Sequence, residues 1–212
     1  MRIIIFICML LAGCATQAQR QFQTMKTGNE ANAAQLKECS AAVYNSADYA
    51  PLRPHLPASL SDATLQQLSD SSLANPEEVH AVYVTHPQAQ QCRKVFLTNL
   101  ARTEPSLVPI FTASYNQADD DLLALIQRKL SWGDYLRHGR DRVAQLQAKA
   151  QAEDQRVVGE LKQENQAELA QRQRAAEALA QWAQTQELIN AANRPVITNC
   201  NAFGNSVNCM TH

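Results

Sequence analysis

Apolar residues recur at three- and four-residue intervals along most of this chain, and the recurrence breaks wherever proline or a polar cluster intervenes. Leu36, Cys39 and Val43 share one face of a helix predicted over 29–45, and Ala89, Cys92, Val95, Phe96 and Leu100 share one over 87–101. Between them the prolines of 49–57 exclude a helix, and Leu65 and Leu68 mark a short one after Ser61. Asn75-Pro76-Glu77-Glu78 combines an N-cap, a proline at the first helical position and acidic residues in the first turn, so a helix is expected from Pro76 to about Thr85, broken by His86-Pro87. Leu122, Leu123, Leu125, Ile126 and Leu130 predict another, with Asp119, Asp120 and Asp121 beside its start. Ser131-Trp132-Gly133-Asp134 then reads as a capping box opening a helix that meets no proline before Pro195. Ended near Ala192 by Asn193 and Pro195, it would reach roughly 90 Å at the usual rise per residue.

That last helix has an unusual text. Residues 143–192 contain 13 Ala and 11 Gln, with few large apolar side chains. Val143, Leu146, Ala150 and Val157 fit one heptad phase, whereas Leu161, Leu169, Ala176, Leu179, Ala183 and Ile189 fit only after a shift, the mark of a weak coiled coil with a stutter. Self-association or a protein partner through 131–193 is the leading expectation. A solitary solvated helix, supported by pairs such as Glu168 with Arg172, and a folded-back hairpin are the alternatives.

At the other end, Ile3 to Leu11 is an unbroken apolar run, too short to span a bilayer but suited to the core of an export signal. It closes on Leu11-Ala12-Gly13-Cys14. This tetrapeptide resembles the lipobox of bacterial lipoproteins. The resemblance implies a signal peptide over 1–13, removal of that peptide, and acylation of Cys14, an anchor made stable by more than one acyl chain. Ala15, where an Asp would favour the inner membrane, implies the outer membrane and a periplasm-facing protein. Residues 14–32, rich in Gln, Thr, Asn and Ala without apolar period, are expected to form a flexible tether.

Of six cysteines, Cys8 leaves with the signal and Cys14 carries lipid, so Cys39, Cys92, Cys200 and Cys209 remain for two disulfides with three pairings. The tail selects one. Gly204-Asn205 between β-branched arms is a two-residue type II′ hairpin signal. With that turn, 203 faces 206 and Cys200 faces Cys209 across a non-hydrogen-bonded pair, where side chains approach closely. Cys39 is then left for Cys92. The Cys-x-x-x-Gly-Asn-x-x-x-Cys tail also resembles the C-terminus of a set of exported proteobacterial proteins, a resemblance that implies no activity.

Charge adds little, because a formal net charge of −1 gives no footprint for nucleic acid. His80 and His86 lie six apart across a proline break, a poor metal pair, and the two tail cysteines lack further ligands, so no metal or other cofactor is expected. Glu77 and Glu78 fit a helix N-terminus better than a catalytic pair. Arg128, Lys129, Arg137, Arg140 and Arg142, interspersed with Asp134 and Asp141, read as a solvated face, with lipid or lipopolysaccharide phosphates as the sharper alternative. A pocket gathering His55, His80 or His86 with carboxylates would be the sign of an enzyme. The expected protein is mainly α and non-enzymatic: a disulfide-stapled helical domain over 33–130, a long helix over 131–193 and a terminal hairpin over 194–212. Its expected role is structural or protein-binding, and a small ligand-binding or accessory module is the alternative.

Overall fold

The computed structural model describes residues 15–192 and 198–211, so Cys14, the signal segment and the expected helix stop at Asn193 and Pro195 lie outside the described residues. The chain is mainly helical. Helix α1 spans Gln17–Asn45, α2 Leu65–Leu68, α3 Pro76–Thr103, α4 Val108–Ile126 and α5 Trp132–Ala192, with 3-10 turns at Ala47–Leu52, Leu60–Asp62 and Pro105–Leu107. Strands β1 (Thr198–Phe203) and β2 (Ser206–Thr211) form an antiparallel hairpin. Two compact units divide the chain at Glu164.

The segment expected to be a tether is helical from Gln17 onward. Thr16 caps it in a box with Gln19, and its buried residues, Ala18, Met25 and Asn32, mix apolar and polar side chains. Gly28 lies so close to α3 that a Cβ there would stand 2.3 Å from Thr103 Cγ2. Asn29 donates to Glu104, Gln35 accepts from Asn99, and Asn32, 3 % exposed, donates to the Phe96 carbonyl. Such a helix docks by hydrogen bonds and close backbone approach, which a hydrophobic period cannot reveal.

Helix α3 runs straight through the expected break at Pro87. An interior proline costs a helix about 3 kcal/mol, but Ala81, Val82 and Thr85 before it and Cys92, Phe96 and Leu100 after it are all buried. Packing on both sides of Pro87 therefore holds the helix together. The three aspartates sit in the last turns of α4 rather than beside a helix start, because α4 begins at Val108 on the Pro105–Leu107 turn. There Asp119 pairs with Arg93 at 2.5 Å, and Asp121 meets Arg142 and His138 of α5. The end of α4 is a Schellman turn. Arg128 takes φ +60°, its N–H reaches the Leu125 carbonyl, and the Lys129 N–H reaches that of Ala124.

Two apolar clusters make the core of the 15–164 unit. One gathers Leu52, Ala74, Ala81, Val82, Leu125 and Trp132; the other gathers Phe96, Leu100 and Leu107 with Leu36, Phe111 and Tyr115 around them. Trp132 and Leu136 are both fully buried. The boundary expected at 130/131 thus falls inside a packed unit, whose last buried apolar residue is Leu161. The Cys39–Cys92 disulfide joins α1 to α3 with Cα atoms 5.8 Å apart, and Cys200–Cys209 joins the hairpin strands directly opposite each other at 4.0 Å. Gly204 adopts φ +58° while Asn205 does not enter the left-handed region, as the type II′ turn requires.

One buried group works against this fold. Glu104 caps α3 at 2 % exposure, and one of its carboxylate oxygens has no partner. Burial pushes its pKa up, the Asn29 hydrogen bond pulls the other way, and the nearby Asp154 and Glu153 charges push it up further. An acid raised in the folded state favours folding when protonated and loses that advantage as pH rises through its folded pKa. Glu104→Gln, which keeps an oxygen for Asn29, is expected to stabilise the protein by about 1 kcal/mol at neutral pH. The gain should disappear below the ordinary glutamate range. Urea unfolding of both proteins across pH measures it, and an equal effect at acid and neutral pH would refute the assignment.

Candidate functional site

The densest polar constellation forms where α5 begins. Ser131 caps the helix by accepting from the Asp134 N–H, and the next donors are met by a distant loop. The Trp132 N–H reaches the Ser72 carbonyl at 3.0 Å, the Gly133 N–H reaches that of Asp70 at 2.8 Å, and Arg137 donates to that of Leu68. A Cβ on Gly133 would stand 2.7 Å from both the Leu68 and Asp70 carbonyl oxygens, so only glycine admits this loop.

The same loop carries Asp70 to His55. His55 Nδ1 lies 2.6 Å from Asp70 Oδ2 and its Nε2 3.0 Å from Glu78 Oε1. The ring stacks on Trp132 at 4.7 Å between centroids and 9° between planes. Glu78 accepts in turn from Trp132 Nε1 at 3.2 Å and from the Asn75 N–H that it caps. Asp70 titrates below its ordinary value: burial pushes it up, but hydrogen bonds from the Ser72 side chain and backbone, and then from His55 with its charge, prevail. Both ring nitrogens are thus engaged by carboxylates, one on each side of the ring.

The arrangement therefore clamps four segments, the turn at His55, the loop at Asp70 and the starts of α3 and α5. A crevice of about 640 Å³ adjoins it, lined by Thr64, Gln67, Ser69 and Ser72 with His55 and Asp70. His86 stands 3.8 Å from Asp119, which Arg93 already holds, and His80 is exposed. Among the described residues no group of three or more His, Cys, Asp or Glu is placed to hold a metal ion. The sequence offers His55 only as one of three histidines that could meet carboxylates; its partners lie fifteen and twenty-three residues away, with no periodic signal to join them.

Two other surfaces bear on function. A groove of about 880 Å³ runs between α1 and the 58–62 segment, floored by Leu36, Tyr44, Phe96 and Phe111 with Lys37 at its edge. In the 165–212 unit, no described side chain between 165 and 190 is buried, and Leu179 (67 %), Trp182 (63 %) and Ile189 (45 %) stand exposed. Of the five basic residues expected to form a solvated face, Arg142 is tied to Asp121 and Arg137 to Asp134, while Arg128, Lys129 and Arg140 are exposed. No helix among the described residues is long and apolar enough to cross a membrane. Comparison with protein-family models, curated proteins and solved structures returned no match.

Proposed function

We propose that this chain is a lipid-anchored protein of the bacterial cell envelope, held by Cys14 at the outer membrane and facing the periplasm, with an interaction role rather than a catalytic one. The observation that carries the role is the exposed apolar face of Leu179, Trp182 and Ile189, since large apolar side chains grouped in water mark contact surfaces. The address rests on the lipobox resemblance, and two disulfides accord with an oxidising compartment. Labelled palmitate should enter the wild-type protein and not Cys14→Ser, which should also leave the membrane fraction. Unchanged labelling in the variant would overturn the anchor. For the role, crosslinking in whole cells should yield a species that Trp182→Glu abolishes; crosslinking indifferent to that change would remove the helix from the interaction.

A second reading is a small ligand-binding or accessory module, favoured by the 880 Å³ groove and by the crevice beside His55 and Asp70. Truncation after Glu164, the end of the compact unit, separates the two. Activity retained in the shortened chain supports the module, and activity lost supports the helix.

A further inference from the structure

Ahead of the Cys39–Cys92 disulfide, α1 is held by a thin and largely polar contact. Over this stretch the helix and its cap bury Thr16, Ala18, Met25 and Asn32, of which one is large and apolar. From Leu36 onward α1 enters the second apolar cluster, and α3 buries Val82, Phe96 and Leu100 along its length. What ties 17–35 to α3 is a ladder of side-chain bonds: Gln35 with Asn99, Asn32 with the Phe96 carbonyl, and Asn29 with both Thr103 and Glu104. Among the described residues two buried side-chain atoms have no hydrogen-bond partner, Asn32 Oδ1 and Glu104 Oε1, and both belong to residues of this ladder. Each has given up its water with nothing in return. Separating the helices here restores that water at little cost in apolar burial.

From this interface we propose that residues 17–35 form a strap that swings away from the C-terminal end of α3 as pH rises, with the Cys39–Cys92 disulfide as its pivot and the proton on Glu104 as its latch. The device goes beyond the interaction role proposed above and does not depend on the anchor. The segment that moves is the one nearest Cys14, so a lipid carried there would gain reach when the strap opens.

Glu104 suits a latch because the closed strap disfavours its charge. When protonated it is a neutral buried acid; when ionised it is a buried charge met by one donor, Asn29. Burial raises its pKa, and Asp154 and Glu153 of α5 raise it further against the Asn29 bond. Glu153 stays charged, since hydrogen bonds from Arg156 and Ser106 hold its carboxyl at about 2. The Pro105–Leu107 turn has no ionisable side chain, and Arg102 of α3 and Lys26 and Glu30 of α1 are exposed. In the open strap Glu104 regains the ordinary glutamate value. Closure is therefore favoured below that value, weakens across the window up to the raised one, and levels off above it. One proton is at stake, so the change is at most about tenfold per pH unit.

Hydrogen exchange of the full-length protein, followed by mass spectrometry from about pH 4 to about pH 8 and corrected for the intrinsic rate at each pH, tests this. Peptides within 17–35 should lose protection as pH rises and then level off, while peptides within 78–100 of α3 keep theirs. Glu104→Gln should hold 17–35 at its acid-level protection throughout. Asp154→Asn, which removes a like charge from α5, should end the loss at a lower pH. The strap would be overturned by protection over 17–35 that is constant with pH, that varies equally in Glu104→Gln, or that falls together with 78–100. A profile that Asp154→Asn leaves unmoved would remove Glu104 as the latch.

Discussion

Replacing Trp132 with alanine is expected to cost about 3–5 kcal/mol and to loosen the start of α5, the His55 clamp and the first core cluster together. The indole is fully buried, stacks on His55, meets Tyr135 edge-on at 6.4 Å and donates to Glu78. Its removal leaves a cavity and strips the carboxylate of a donor at once. Trp132→Phe separates these effects, because it keeps a ring in the core and loses the hydrogen bond, for about 1–2 kcal/mol. Urea unfolding followed by far-UV circular dichroism measures both. A loss below about 1 kcal/mol for alanine would mean that the 15–164 unit does not depend on this residue, against the burial argument.

Converting both Cys39 and Cys92 to serine is expected to cost about 4 kcal/mol, and converting Cys200 and Cys209 about 2.6 kcal/mol, confined to the hairpin. The difference follows from separations of 53 and 9 residues. The longer closure removes more freedom from the unfolded chain. Reductant should therefore shift the urea midpoint of the wild type to that of the Cys39→Ser/Cys92→Ser protein. It should leave the midpoint of the Cys200→Ser/Cys209→Ser protein still sensitive to reduction. If the two pairs of substitutions proved interchangeable in the 15–164 transition, the staple between α1 and α3 would not be the stabilising one.

What could be read from sequence divides by the range of the cause. Gly204-Asn205, Ser131-Trp132-Gly133-Asp134 and Asn75-Pro76-Glu77-Glu78 act within a few residues, and all appear as expected: the hairpin register, the start of α5 and the start of α3. Cysteine pairing followed because the hairpin register accounted for two thiols. Long-range causes were hidden. On α1 over 17–32, Gly28, Asn29 and Asn32 face Thr103, Glu104 and Phe96, contacts that depend on the fold and leave no apolar period. Pro87 signals a stop in isolation, and only the packing of Val82 and Cys92 on either side overrides it. Within the candidate site, local sequence accounts for Glu78 at its helix end, a role it has; its bonds to His55 and Trp132 depend on the fold.

The loop that caps α5 also sets an order in time. Residues of the Ala- and Gln-rich stretch can wind into helix by local contacts alone, on about a microsecond scale. Trp132 and Gly133 cannot take their native bonds until the chain has closed a long loop to bring Leu68, Asp70 and Ser72 against them. Closure of that kind is the slow step in small domains. Until that loop closes, Trp132 and Gly133 lack the carbonyls that satisfy their N–H groups, so the start of α5 waits on the fold of the segment before it.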